Sequence, residues 1–132
     1  MYLIVIDPGP STGVAEFAGT TLVRTFTTQT PHTVLRTRLQ VLRCMQTGLT
    51  VVCEEGPQIR HLSEACERVE AIVREESESI YWVRPSQWKH HPAARLSGLK
   101  VLTLHEADAA CIGNWFIARG RYHRYERCTP AP

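Results

Sequence analysis

The chain has 132 residues, 43% of them apolar and 21% charged, and a formal net charge of +2. This composition fits one ordinary globular domain and excludes a disordered or low-complexity chain. A balance so near neutral also excludes a polycation, so any contact with nucleic acid must come from local basic surfaces.

The longest uncharged apolar run, Tyr2 to Ile6, is much shorter than a bilayer requires and has no basic leader or small-residue cleavage site. A cytoplasmic protein without membrane contact is expected. The cysteines at 44, 53, 66, 111 and 128 are odd in number and form no CxxC pair. They read as reduced thiols rather than a zinc knuckle or a disulfide framework.

Leu3 to Ile6 is a continuous apolar run closed by Asp7-Pro8-Gly9, the pattern of a strand buried on both faces. Val14 to Ala18 alternates, and Gly19-Thr20 turns it into a second β-branched segment, Thr21 to Thr27, completing a meander. From Thr33 the period changes. Val34, Leu35, Leu39, Leu42 and Met45 recur at helical spacing, with Gly48 available to end the helix. Thr50 to Cys53 is another apolar run, closed by Glu54-Glu55-Gly56-Pro57. Leu62, Ala65, Cys66, Val69, Ile72 and Val73 then stripe a helix whose other face is acidic. That stripe suits core packing, a dimer seam, or both.

Ser79 to Val83 predicts a strand stopped before Pro85, and residues 85–103 predict irregular structure. A last helix is expected from about His105 to Arg119, ended by Gly120. The order β-β-β-α-β-α-β-α implies an α/β fold with a mixed five-stranded sheet flanked by helices. One domain over 1–120 is expected, followed by a basic, flexible tail over 121–132.

Asp7 ends the first buried strand, Glu54 and Glu55 end the fourth, and Asp108 follows His105 by three residues on the last helix. Taken singly, each has an ordinary explanation in turn chemistry, a solvated edge or the helix dipole. Together they lie where α/β sheets place function, beyond the carboxyl ends of the strands. Carboxylates brought close repel unless one takes up a proton or a cation lies between them. Hard oxygen ligands of this kind suit two Mg2+ or Mn2+ ions acting on a phosphodiester. Basic residues gather in two other stretches, Arg84 to Arg95 and Arg119 to Arg127. Trp82, Trp88 and Trp115 suit core or interface better than a stacking platform, although Trp88 beside Lys89 could press on DNA.

Four segments carry a family resemblance. Ile6-Asp7-Pro8-Gly9 with Gly13, Val51-Val52-Cys53-Glu54-Glu55, Pro85-Ser86-Gln87-Trp88-Lys89 and His105-Glu106-Ala107-Asp108-Ala109-Ala110 resemble, in order, motifs of the RuvC-type Holliday junction resolvases. The resemblance leans toward the compact resolvase-like proteins often encoded by bacteriophages. It implies an RNase H-like fold, a homodimer, and cleavage of four-way or other branched DNA with two Mg2+ ions. Asp7, Glu55 or Glu54, His105 and Asp108 would be the catalytic and metal-binding residues, with weight toward Glu55 from its Glu-x-Pro-Gln context. Arg84, Gln87, Trp88, Lys89, Arg95, Arg121 and Arg124 would hold DNA. The chain is shorter than a typical bacterial member between Lys89 and His105, where the family carries a lysine-bearing segment. Two other readings stand beside this one: a nuclease for RNA–DNA hybrid or RNA, and a non-catalytic branched-DNA binding module.

Overall fold

The computed structural model describes residues 1–56, 60–90, 103–120 and 129–130. Strands β1 (Tyr2–Asp7), β2 (Ser11–Ala18) and β3 (Thr21–Gln29) form the antiparallel meander. Helix α1 (Thr33–Met45) leads into β4 (Leu49–Glu54), which pairs parallel with β1. Helix α2 (Arg60–Glu76) then crosses to β5 (Ser79–Val83), parallel with β4. A single helical turn, α3 (Pro85–Trp88), and the long α4 (Leu104–Gly120) follow. The mixed α/β expectation holds, with one extension. Thr129–Pro130 form β6, antiparallel to Ser79 and Ile80, so the sheet has six strands in the order β3-β2-β1-β4-β5-β6. The tail expected to be flexible is thus paired at those two residues.

Side chains alternate across the sheet and separate two apolar layers. Ile4, Ile6, Val14, Val51, Cys53 and Ile80 meet Leu35, Leu39 and Leu42 of α1 and Val69, Ile72 and Val73 of α2. Leu3, Val5, Ala15, Phe17, Val52 and Val83 meet Ala109, Ala110, Ile112 and Trp115 of α4. Each large aliphatic side chain so buried contributes about 1.5–3 kcal/mol. Val69, Ile72 and Val73 of the α2 stripe are therefore spent on the sheet of its own chain. Its solvent side carries Glu64, Glu67, Arg68, Ala71 and Glu75. On α4 the small residues let the helix lie close to the sheet: a side chain at Gly113 would overlap the Phe17 ring.

One charged group sits inside the first layer. Glu16 of β2 is fully buried. It accepts 2.7 Å hydrogen bonds from both Nε and Nη2 of Arg38 on α1, and a third from the Tyr2 hydroxyl. This bidentate pair fastens α1 to the sheet.

Residues 85–103 begin with the helical turn α3 rather than irregular chain. Pro85 occupies its first position, where a missing N–H costs nothing. The backbone N–H of Arg84 donates to Gln87 Oε1 at 2.8 Å, which secures the entry. Among the described residues no helix is long and apolar enough to cross a membrane.

Candidate active site

Register places the acids. Ile6 pairs with Cys53 across β1 and β4, so Asp7 and Glu54 come level at the carboxyl ends of two parallel strands. Ile6 and Cys53 face α1 and α2; the next residues face the opposite layer, under α4. There the Asp7 and Glu54 carboxyls come close enough for each to act on the other's proton.

The electrostatics are those of crowded acids. Burial, and then the charges of Glu54 and Asp108, push the Asp7 carboxyl up to about 8, against the opposing pull of Lys89. Burial also raises Glu54, with Asp108 adding to it. Hydrogen bonds from Trp88 and Asp7, and the charge of Lys89, work the other way. Burial raises Asp108 as well, opposed by Lys89 and His105. All three acids thus hold protons more tightly than exposed carboxyls would.

Gly13 explains how α4 reaches this point. It lies opposite Asp7 on β2. A methyl group there would come within 2.0 Å of the His105 carbonyl oxygen. The bare backbone lets the first turn of α4 rest beside Asp7, and Asp108 follows one turn later. Glu106 anchors the same turn. Its carboxylate accepts hydrogen bonds from Thr25 at 2.8 Å, Thr27 at 2.7 Å and Thr103 at 3.0 Å. Burial alone would raise this carboxyl, but those three donors outweigh it and hold it below its ordinary value. The Glu106 N–H donates to Thr103 Oγ1 at 3.2 Å, the half of a capping box that Thr103-x-x-Glu106 spells in the sequence.

The structure brings Asp7, Glu54 and Asp108 together, with Lys89 close enough for its charge to act on all three. His105 is half-buried one turn before Asp108, and its charge reaches that carboxyl. Glu55 does not join them, contrary to the weight given it from sequence. One residue past β4, where its N–H still donates to the Val83 carbonyl at 2.7 Å, its side chain is exposed and pairs with Arg84 Nε at 3.5 Å. The cause is strand alternation, which sends Glu54 and Glu55 to opposite faces. Trp88 takes the core place favoured for it, not the DNA contact that its neighbour Lys89 suggests. It is 4% exposed, within the α4-side apolar cluster, and its indole N–H donates to Glu54 Oε2 rather than facing solvent. Arg84 and Gln87 are exposed beside it. Arg95, Arg121 and Arg124 lie outside the described residues. Sequence reasoning missed Glu106, although its capping-box spacing was a readable signal.

Among the described residues no three His, Cys, Asp or Glu side chains close around a single point as a ready-made metal cage. Mg2+ does not demand one, because it keeps several waters and takes one or two carboxylates plus substrate phosphate. Two carboxyls at adjacent strand ends, one buried and one half-buried, with a third acid in electrostatic range fit that donor set.

No protein-family model matches the chain, and no curated protein matches it. Solved structures do. RuvC of T. thermophilus, in complex with a Holliday junction substrate, is 19% identical and superposes with a TM-score of 0.67 over 98% of this chain and 99% of that one. A PPX-GPPA enzyme of Aquifex aeolicus is 16% identical over 67% of this chain and 37% of its own, with a TM-score of 0.38 that carries no argument. The chain therefore has the RNase H-like fold of RuvC, along essentially its whole length.

Proposed function

We propose that this chain is a structure-selective endonuclease that cuts four-way or otherwise branched DNA by divalent-metal hydrolysis of the phosphodiester. The observation that carries this reading is the pair of buried Asp7 and half-buried Glu54 at the ends of two parallel strands, within reach of the charges of Asp108 and Lys89. Acids crowded in this way are stabilised by a cation more than by water. Asp7, Glu54 and Asp108 would hold Mg2+ or Mn2+, with His105 beside Asp108. Two such ions, when bound, activate a water and stabilise the leaving oxygen.

The chain's own residues do the rest. Trp88 and Asp7 orient Glu54, and Glu106 and Gly13 set the position of α4 and hence of Asp108. Lys89 supplies the positive charge that a phosphate needs when it approaches three acids. Arg84 and Gln87, with Arg95, Arg121 and Arg124, would track the backbone of the DNA arms. The RuvC fold supports branched DNA as the substrate class, since the T. thermophilus protein was solved on a Holliday junction. A four-way junction needs two opposed cuts, so a two-fold homodimer completes the reading. The reaction would take place in the cytoplasm.

Synthetic four-way junction, duplex and RNA–DNA hybrid, each with and without Mg2+, test the proposal. Paired symmetric nicks in the junction alone, dependent on Mg2+, are expected, together with a sedimenting mass about twice the 14.9 kDa of one chain. Hybrid cleavage by a monomer would replace this reading with that of a hybrid nuclease. Junction binding that is unchanged by chelator, with no cutting, would leave a binding module.

A further inference from the structure

The mechanism needs Glu54 held in one orientation, and α3 ends on the group that does it. Trp88 is the last residue of that turn, 4% exposed, with its ring in the same cluster as Val52, Val83 and Trp115. Its indole Nε1–H donates to Glu54 Oε2. An indole is a donor only, so this N–H can hold a carboxylate oxygen but cannot itself ligate a cation. It is also neutral. A lysine or arginine at this point would cancel charge that a dication requires, whereas an indole orients the carboxylate and leaves its charge in place. The ring is too buried to stack on a DNA base, which removes the role its neighbour Lys89 first suggests.

We propose that Trp88 is a positioning residue whose indole N–H fixes the Glu54 carboxylate for divalent-cation binding. This rests on the metal-nuclease reading above. The turn α3 then serves the site twice, orienting Glu54 through Trp88 and presenting the charge of Lys89 one residue later. The hydrogen bond ties the stretch after β5 to the end of β4, so a shift of α3 would be felt at the metal ligand.

Trp88→Phe keeps an apolar ring and deletes the donor. Mn2+ binding to the whole chain, followed by calorimetry without DNA, should weaken by roughly 10- to 100-fold, the scale on which outer partners of metal ligands act. Junction affinity in chelator should not change. A second readout needs neither metal nor activity. The three tryptophans give three indole N–H resonances, and the one absent from Trp88→Phe should move in Glu54→Gln and stay in place in Glu55→Gln. If Trp88→Phe does not fold, that resonance is assigned by elimination from Trp82→Phe and Trp115→Phe, and the same comparison decides. Equal Mn2+ affinity in wild type and Trp88→Phe, or an indole resonance indifferent to Glu54→Gln, overturns the positioning role while the nuclease reading stands. Wild-type protein that binds no Mn2+ overturns the nuclease reading, and the positioning role with it.

Discussion

Two buried acids lie on neighbouring strands of this sheet and are treated in opposite ways. Glu16, fully buried under α1, receives both arms of the Arg38 fork and the Tyr2 hydroxyl. Burial would raise its carboxyl, but the Arg38 and Tyr2 hydrogen bonds win and hold it below the usual range. Asp7, 9% exposed under α4, has two acids as its charged neighbours with Lys89 against them, and its carboxyl is pushed up to about 8. The first acid is satisfied by its own chain. The second is left in want of a cation, and a strained carboxyl in a crevice is a better sign of chemistry than burial alone.

The largest expected effect lies on the strained side. Asp7→Asn, Glu54→Gln and Asp108→Asn should each reduce junction cleavage by more than the roughly 100-fold typical of losing an outer partner. All three should still bind the junction and should melt no lower than wild type, because each removes repulsion. A cleavage assay beside a thermal melt checks both halves. Substantial turnover by any of the three would take that residue out of the catalytic set.

On the satisfied side the same kind of change should damage the fold instead. Arg38→Ala leaves Glu16 buried without its fork, and breaking a buried pair from one side costs about 3–5 kcal/mol. Denaturant unfolding should show that loss, a large share of the roughly 5–15 kcal/mol available to a domain. Cleavage per folded molecule should be unchanged. A loss below about 1 kcal/mol would mean that water reaches Glu16 and takes over its hydrogen bonds.

The comparison sharpens with pH. Asp7 keeps its proton in the native state up to about 8, whereas the unfolded chain releases it near the ordinary value for aspartate, about 4. Between those values the unfolded state binds fewer protons, so this site's contribution to stability is complete below about pH 4 and is lost as pH rises through about 8. Glu16 has the opposite sign. Its contribution is present above the ordinary glutamate value and is lost as pH falls through its lowered native value. Melts in chelator from pH 4 to 8.5 should therefore decline for wild type and flatten for Asp7→Asn. Mg2+ should restore more stability at pH 8 than at pH 5. A wild-type profile as flat as that of Asp7→Asn would remove the strain from Asp7.

Much of this was legible in the chain. Hydropathic periods marked α1 and β5 to the residue and the other main elements within a few residues, because those segments bury continuous or regularly spaced apolar groups. The turn α3 was not, since one turn is too short to show a period and Pro85 reads equally as a break. The acids at strand ends were visible, but the choice between Glu54 and Glu55 was not. It depends on Ile6 facing Cys53, a register between strands separated by more than forty residues. Glu16 was hidden for a related reason: a polar residue in an alternating strand reads as solvent-facing until its Arg38 partner is placed over it. The core place of Trp88 was legible, but its partner was hidden likewise. Its neighbour in sequence is a lysine, whereas its hydrogen-bond partner is Glu54.

The smallest expected effect discriminates most finely, because it concerns the neighbour of an essential acid. Glu55 is exposed, and its 3.5 Å contact with Arg84 is an ion pair between two solvated side chains. Such pairs contribute about 0.2–1 kcal/mol, and screening by salt reduces that further. Glu55→Gln should therefore leave unfolding within about 1 kcal/mol of wild type and cleavage within about twofold, while Glu54→Gln abolishes it. The change would also free Arg84 from a carboxylate beside the crevice, so junction binding at low salt should tighten slightly, with the difference vanishing as salt rises. Equal losses of cleavage in the two variants would mean that β4 slips by one residue when DNA binds, and the register that sets Asp7 beside Glu54 would then be only one of two.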